Sequence, residues 1–182
     1  MKNNLYVGLV HHPVNNKFGE EVTTSITNLD LHDISRSCLT FGVKKLFIIN
    51  PLESQKEMYK RIVAFWQSDQ AKKFNPHRAA ALSLVEFAND IASVQNRIRL
   101  QETNCATITT TAIEFDHQIG TEELKKIERS YLLLFGTGYG LAKTVHTSAD
   151  YTLKPIFGTG QYNHLSVRSA VAIYLDRLVS EK

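Results

Sequence analysis

The tetrapeptide Phe-Gly-Thr-Gly occurs twice, at Phe135-Gly136-Thr137-Gly138 and at Phe157-Gly158-Thr159-Gly160, each time closing an apolar run. A strand, a glycine turn and a helix in that order aim backbone N–H groups at an anion or at the polar edges of a ligand. The stretch "GTGYGLAKT" carries Gly136, Gly140, Lys143 and Thr144, close to a phosphate-cradling P-loop. That loop needs glycine, lysine and threonine in direct succession, and here Leu141 and Ala142 intervene. The same glycines approximate a dinucleotide fingerprint with Asp150 downstream, the mark of a nicotinamide or flavin enzyme. The acid precedes its apolar run, whereas the fingerprint needs it at the strand's carboxyl end, and the turn belongs in the first βαβ unit. Glycine and threonine also reverse chains with no ligand at all. The ending weighs against mere reversal: "GTGQYNHLSVR" opens a last helix with Asn163 as the expected N-cap and Ser166 and Arg168 in its first turns. Two side-chain-free loops outside the carboxyl ends of strands can grip a flat ligand between backbone groups. On these residues alone the ligand has no name.

Such loops need strands before them and helices behind. "LYVGLV" (Leu5 to Val10) is a short apolar run of strand formers, followed by a loop with Pro13, Asn15, Asn16 and Gly19. "TNLDLHDISRSCLTFG" predicts a helix, with Leu31, Ile34, Cys38 and Phe41 at three- and four-residue steps and Gly42 as the stop. "KKLFIIN" predicts a buried strand closed by Pro51. Ser54 with Glu57 has capping-box spacing, and opens a helix whose apolar side is Met58, Ile62, Phe65 and Trp66. "KKFNPHRAA" reads as a loop, "ALSLVEF" as a short strand, and Ile91, Val94 and Ile98 as a helix face. "CATITTTA" is a strand, Thr121 with Glu122 and Glu123 opens a short helix, and "YLLLF" is a strand. "GLAKTVHT" is a short helix, "DYTLKPIF" a strand and "YNHLSVRSAVAIYLDRL" a long last helix, with Val167, Ala170, Val171, Tyr174 and Leu178 on its apolar face. Continuous apolar strands alternating with amphipathic helices predict an α/β fold: a mostly parallel sheet covered by helices on both faces, in a single domain over 1–182.

The totals exclude several function classes. A formal charge of +3 permits a nucleic-acid partner without the basic stripe of a dedicated binder; Lys72 and Lys73 near Arg78 read as a solvated surface patch. Cys38 and Cys105 stand far apart without metal spacing, which fits a reducing, cytoplasmic setting. The N-terminal "MKNNLYVGLVHH" is a first strand, not a signal peptide or a membrane span. His11 and His12 end the first strand and can face the site, or are simply a strand-end polar pair; no third ligand stands at metal spacing. Cys38 falls on a helix's apolar face and reads as core. His164 beside Asn163 can touch a ligand or cap the helix, and Tyr139 can stack on a base or simply pack.

At this point the chain resembles a known family. "YLLLFGTGYGLA" and "PIFGTGQYNHLSVRSAVAIYL" are similar to the second and third motifs of the SPOUT class of S-adenosylmethionine-dependent RNA methyltransferases. "LDLHDISRSCLTFGVKKLFIIN" is similar to its first motif, with Arg36 at the arginine position, and "LVHHPV" brings it nearest a small, compact bacterial family of the class. The resemblance implies a C-terminal trefoil knot, a homodimer and S-adenosylmethionine as cofactor, with a tRNA or rRNA substrate. It implies one donor wall from Gly136, Thr137, Gly138, Gly140 and Leu141. The other is Ile156, Gly158, Asn163, Leu165 and Ser166, with Thr110 and Thr111 at the end of the preceding strand. The chain departs from the pattern in two places: the second motif has Thr137 and Tyr139 where many relatives carry an acid, and Asp30 falls where others have Asn.

Methyl transfer from a sulfonium is an in-line displacement, so the protein has to position and deprotonate the acceptor. The first-motif helix supplies Asp30, His32, Asp33 and Arg36. Asp30 or Asp33 can take a proton from a base nitrogen while Arg36 holds phosphate or orients the acceptor. With a ribose hydroxyl as acceptor, Arg36 is itself the candidate base. Asp33 and Arg36, three apart, can instead simply pair on the helix surface. A non-catalytic module of the same fold, binding S-adenosylmethionine or RNA, is the second reading.

Overall fold

Leu5–Val10 is buried at all six positions and forms β1 in the middle of a six-stranded sheet. A strand covered on both faces leaves no polar alternation, which is why it reads as one apolar run. The computed structural model describes residues 4–160 and 162–180. The ribbon of β2 (Val14–Asn15) and β3 (Glu21–Val22) follows β1 and is antiparallel. The remaining strands of the main sheet are β4 (Lys45–Ile49), β5 (Val85–Ala88), β6 (Cys105–Thr109), β7 (Ser130–Gly136) and β8 (Tyr151–Thr152). Their order is β5-β4-β1-β7-β6-β8, and each neighbouring pair is parallel.

Helices cover both faces. On one, α1 (Asn28–Thr40) and α8 (Val167–Val179) send Leu31, Ile34, Cys38, Val171, Tyr174 and Leu175 into a cluster with Val7, Leu9, Leu133 and Phe135. On the other, α5 (Ile91–Arg99) and α7 (Lys143–Ser148) bring Val94, Ile98 and Val145 against Tyr6, Val10, Phe47 and Leu134. Burial pushes the Cys38 thiol up to about 12, so it is core. A short helix, α6 (Thr121–Leu124), begins at Gly120, whose N–H donates to the Glu123 carboxylate.

Four expectations are corrected. The predicted loop "KKFNPHRAA" is helical, belonging to α3 (Asp69–Phe74) and α4 (Pro76–Leu82). Asn75 accepts from the Arg78 N–H as the cap of α4 and Pro76 stands at its first position, so Asn-Pro starts a helix here. Helix α2 (Glu53–Gln67) begins before Ser54 and has no side-chain cap, and on its apolar side Phe65 is left 62% exposed. "DYTLKPIF" is strand only at Tyr151–Thr152, with Leu153 in a single bridge; beyond it the Lys154 carbonyl accepts from the Tyr174 hydroxyl and Pro155 has no N–H to offer. Asn163 is not the cap of α8; Ser166 is, accepting from the Ser169 N–H.

Gly8 is the small residue this packing requires. A Cβ there would come within 2.7 Å of Leu134 Cδ2 and 3.2 Å of Ile49 Cδ1. Gly8→Val is expected to destabilise the fold by about 1–3 kcal/mol through overpacking, read as a lower urea midpoint at unchanged slope.

Candidate functional site

The register of β1 against β7 sets Val10 opposite Gly136, so the first glycine turn begins level with the end of β1. From β1 the chain proceeds to β4 on one side, while β7 and β6 lie on the other. A crevice at such a switch point, outside the strands' carboxyl ends, is where open α/β sheets bind ligands.

The first turn is clamped. The Thr137 N–H and hydroxyl both donate to the Val10 carbonyl, each at 3.1 Å. Tyr139 N–H donates to the Asn15 carbonyl, Asn15 N–H to the Gly140 carbonyl and Ala142 N–H to the Pro13 carbonyl. Glycine is required by close approach at Gly136, where a Cβ would lie 2.5 Å from the Leu141 nitrogen. Gly138 combines φ +60 with a Cβ position 3.0 Å from the Asn15 oxygen. Gly140, at φ +97, has open space beside it, as do Gly158 and Gly160.

Thr110 and Thr111 follow β6. The Thr110 N–H and hydroxyl both donate to the Leu134 carbonyl, and the Thr111 hydroxyl accepts from the Ile113 N–H. The second glycine segment reaches this loop through the Asn163 side-chain amide, which donates to the Ala112 carbonyl at 3.1 Å. Ile119 and Leu153 also form a parallel bridge. Ile156 packs partly into the core, while Phe157, Tyr162 and Leu165 stand exposed. The loops that follow β6 and β8 are therefore joined through Asn163 and Ala112, and the β6 loop is tied to the end of β7 through Thr110 and Leu134, with open space at Gly140, Gly158 and Gly160. That arrangement fits S-adenosylmethionine, which needs backbone donors and acceptors at its adenine and ribose and no bulky side chain between the walls. Two cavities are lined by residues other than the glycines. One of about 740 Å³ is lined by Glu114–Gln118 and Lys154, and one of about 410 Å³ lies by Gln95, Glu102, Cys105 and Asp150.

Of the two histidines that follow β1, His11 is the one that reaches the first glycine turn. It is fully buried, its Nδ1 is 3.0 Å from the Thr24 hydroxyl, and Thr24 in turn is hydrogen-bonded to the Thr137 hydroxyl. Thr137 donates to Val10, so Thr24 donates to Thr137 and accepts from His11 Nδ1–H. The buried Nε2 then carries the lone pair and has no partner. Burial lowers the imidazole to about 4, with the Asp30 carboxylate opposing. His12 turns away to Thr23 and Glu21, and His164 sits on the exposed Tyr162 ring.

The acidic candidates are tied to α8. Asp30 is 6% exposed; its Oδ2 accepts from the Thr27 hydroxyl and its Oδ1 from Arg168 Nη1, both at 2.7 Å. Asp33 Oδ2 lies 3.6 Å from Arg168 Nε, so its ion-pair partner is Arg168 and not Arg36. Arg36 is exposed and makes no ion pair among the described residues. Arg168 occupies the second position of α8, where the helix dipole disfavours a cation. A cation in that place was the readable signal that a carboxylate must face it.

Two outcomes follow for stability. Arg168→Leu strands the Asp30 carboxylate and is expected to cost about 2 kcal/mol, less than a fully buried pair because the guanidinium is partly solvated. Adding Asp30→Asn recovers part of that loss in chemical denaturation. For His11 the folded value lies below the unfolded one, about 6.5, so its neutral form stabilises fully above that pH. As pH falls from about 6.5 towards about 4, the unfolded chain binds the proton first and stability drops. His11→Asn is expected to remove about 2 kcal/mol of the decline between pH 7 and pH 5, leaving the share of His32 and His146, which burial also lowers. An equal decline in both proteins would refute the assignment.

A protein of Aquifex aeolicus described as uncharacterized is 35% identical over 97% of this chain and 89% of its own length. The tRNA (guanine-N(1)-)-methyltransferase of Oleidesulfovibrio alaskensis is 37% identical over 98% of this chain, which spans 42% of that enzyme's length. The SpoU methyltransferase AviRb of Streptomyces viridochromogenes, solved in complex with AdoMet, has the same fold. Its TM-score is 0.58 at 17% identity, over 98% of this chain and 58% of that one. The family described as SAM-dependent RNA methyltransferase matches residues 4–180, and the chain belongs to it.

Proposed function

We propose that this methyltransferase acts on tRNA, as a single domain over 1–182 that works in the cytoplasm as a homodimer. The tRNA class is carried over from relatives more than twice as long as this chain, and the modified atom is not carried with it. What carries the reading is the join of the loops after β6 and β8 through Asn163 and Ala112, beside the end of β7 that Thr110 holds. Thr110, Thr111, Gly136, Thr137, Gly138, Gly140 and Leu141 form one side of the donor site, and Ile156, Gly158, Asn163, Leu165 and Ser166 the other. Bound there, S-adenosylmethionine supplies an electrophilic methyl group. Leu153 beside Ile119 and Asn163 on Ala112 support a path for the intervening segment through the loop after β6, which is how the trefoil knot would close. Exposed Leu29, Phe157 and Leu165 support a second copy covering this region.

On the acceptor side, the residues divide by how far they are engaged. Both Asp30 oxygens are occupied, so Asp30 acts by anchoring Arg168 and the start of α1. Asp33 is half exposed, holds Arg168 only at 3.6 Å, and can accept the acceptor's proton at Oδ1. Arg36, one turn on, orients the acceptor or its phosphate. A neutral His11 holds Thr24 and, through it, Thr137.

Two measurements test this. Calorimetric titration with S-adenosylmethionine and S-adenosylhomocysteine is expected to give micromolar binding, about 8 kcal/mol. Methyl incorporation into bulk tRNA is expected to fall about 100-fold or more in Arg36→Ala while donor affinity is kept. Absence of donor binding by folded protein, or full activity in Arg36→Ala, would overturn the site or the role respectively.

A further inference from the structure

α2 is a helix of 15 residues without one buried residue. Met58, Tyr59, Ile62 and Trp66 are half covered by the core, whereas Phe65 is 62% exposed and Phe74, ending α3, is 86% exposed. The rings converge. Trp66 meets the edge of Phe65 at 5.2 Å between centroids and that of His32 of α1 at 5.4 Å. The Arg78 guanidinium lies over the Trp66 ring, 4.8 Å from its centroid. Exposed rings grouped in this way mark an interaction surface, not a random scatter of apolar residues.

The charge of this segment decides what it meets. Residues 53–82 hold six Lys or Arg and three Asp or Glu, so their +3 equals the net charge of the whole chain. Lys56 and Lys60 are paired with Glu53 and Glu57. Arg61, Lys72 and Lys73 are exposed and make no ion pair among the described residues. Exposed lysines on this segment weigh against a protein partner, whose contact surfaces are depleted in lysine. Unpaired exposed cations on the same segment as exposed rings are what single-stranded nucleic acid binds: phosphate on the cations and bases stacked on the rings. The surface also leads to the candidate acceptor residues, because His32 touches Trp66 and stands one turn before Arg36 on α1. Burial, with Arg78 and Arg36 nearby and Asp33 opposing, holds His32 below its ordinary value, so a neutral ring lies between the two.

We propose that the face formed by Phe65, Trp66, Phe74, Lys72, Lys73 and Arg78 docks unpaired bases of the RNA substrate and leads the strand past His32 to Arg36. This rests on the RNA-methylating reading of the site.

The test is filter binding of bulk tRNA to the full chain, titrated between about 50 and 200 mM salt. Phe65→Ala with Phe74→Ala is expected to weaken binding about tenfold or more at an unchanged salt slope. Lys72→Ala with Lys73→Ala is expected to lower the slope by about two. Both double variants keep the wild-type affinity for S-adenosylmethionine. Unchanged tRNA affinity and slope in both would overturn the proposal. So would a changed oligomeric state of the phenylalanine variant with tRNA affinity intact, which marks the face as a protein interface. A wild-type protein that binds S-adenosylmethionine but neither tRNA nor rRNA overturns the RNA reading itself, and the docking surface with it.

Discussion

The parallel pairing of β1 with β7 is the constraint on which the site depends. It puts the Val10 carbonyl where both donors of Thr137 reach it, and so fixes the first glycine turn before any ligand arrives. Because β1 and β7 neighbour each other while their chains proceed to opposite halves of the sheet, the space between their ends is not filled by a direct connection. The β2–β3 ribbon then closes on the turn from outside through Pro13 and Asn15. A loop held by five or more backbone bonds has little entropy left to lose on binding, which favours affinity without needing many side-chain contacts.

A second link orients the helices over that sheet. Arg168 near the start of α8 bridges both carboxylates of α1, against the preference of its own helix dipole. The bond to a carboxylate that is nearly out of water more than offsets that local penalty. One guanidinium thus couples the segment carrying the second glycine turn to the helix carrying Asp33 and Arg36. Movement of either helix alone would break it.

Most of the fold was legible because burial on both faces leaves uninterrupted apolar runs. β1, β4, β6 and β7 are found where such runs stand, and α1 and α5 where the three- and four-residue periods run. The misreadings have local causes. Asn75-Pro76 suits a loop and equally a cap followed by the first helical position, and only packing against α1 decides. Ser166 and Asn163 both have the right chemistry for a cap, and the choice turns on Asn163 being taken by Ala112, a contact no local pattern encodes. His11 beside His12 reads as one strand-end polar pair, yet alternation along an extended chain sends the two to opposite sides, one into the core and one to Glu21. The donor walls were named from motif resemblance, not from period or charge, since glycine and threonine carry no signal that separates a cradle from a bend.

The distribution of charge gives the last step. None of the twelve residues assigned to the donor walls is ionisable, and the one titratable group supporting them, His11, is held neutral by burial. The ligand they are read to hold carries a sulfonium with its own amine and carboxylate, so a fixed charge in the wall would favour the substrate or the product form. Backbone dipoles bind both without that bias. The ionised groups sit instead on α1 and α8, and the unpaired cations beyond them on α2 and α3, the side proposed to meet the RNA. Neutral walls at the donor and charge at the acceptor are what a transfer between a small cation and an RNA strand requires, since neither partner then competes for the other's contacts.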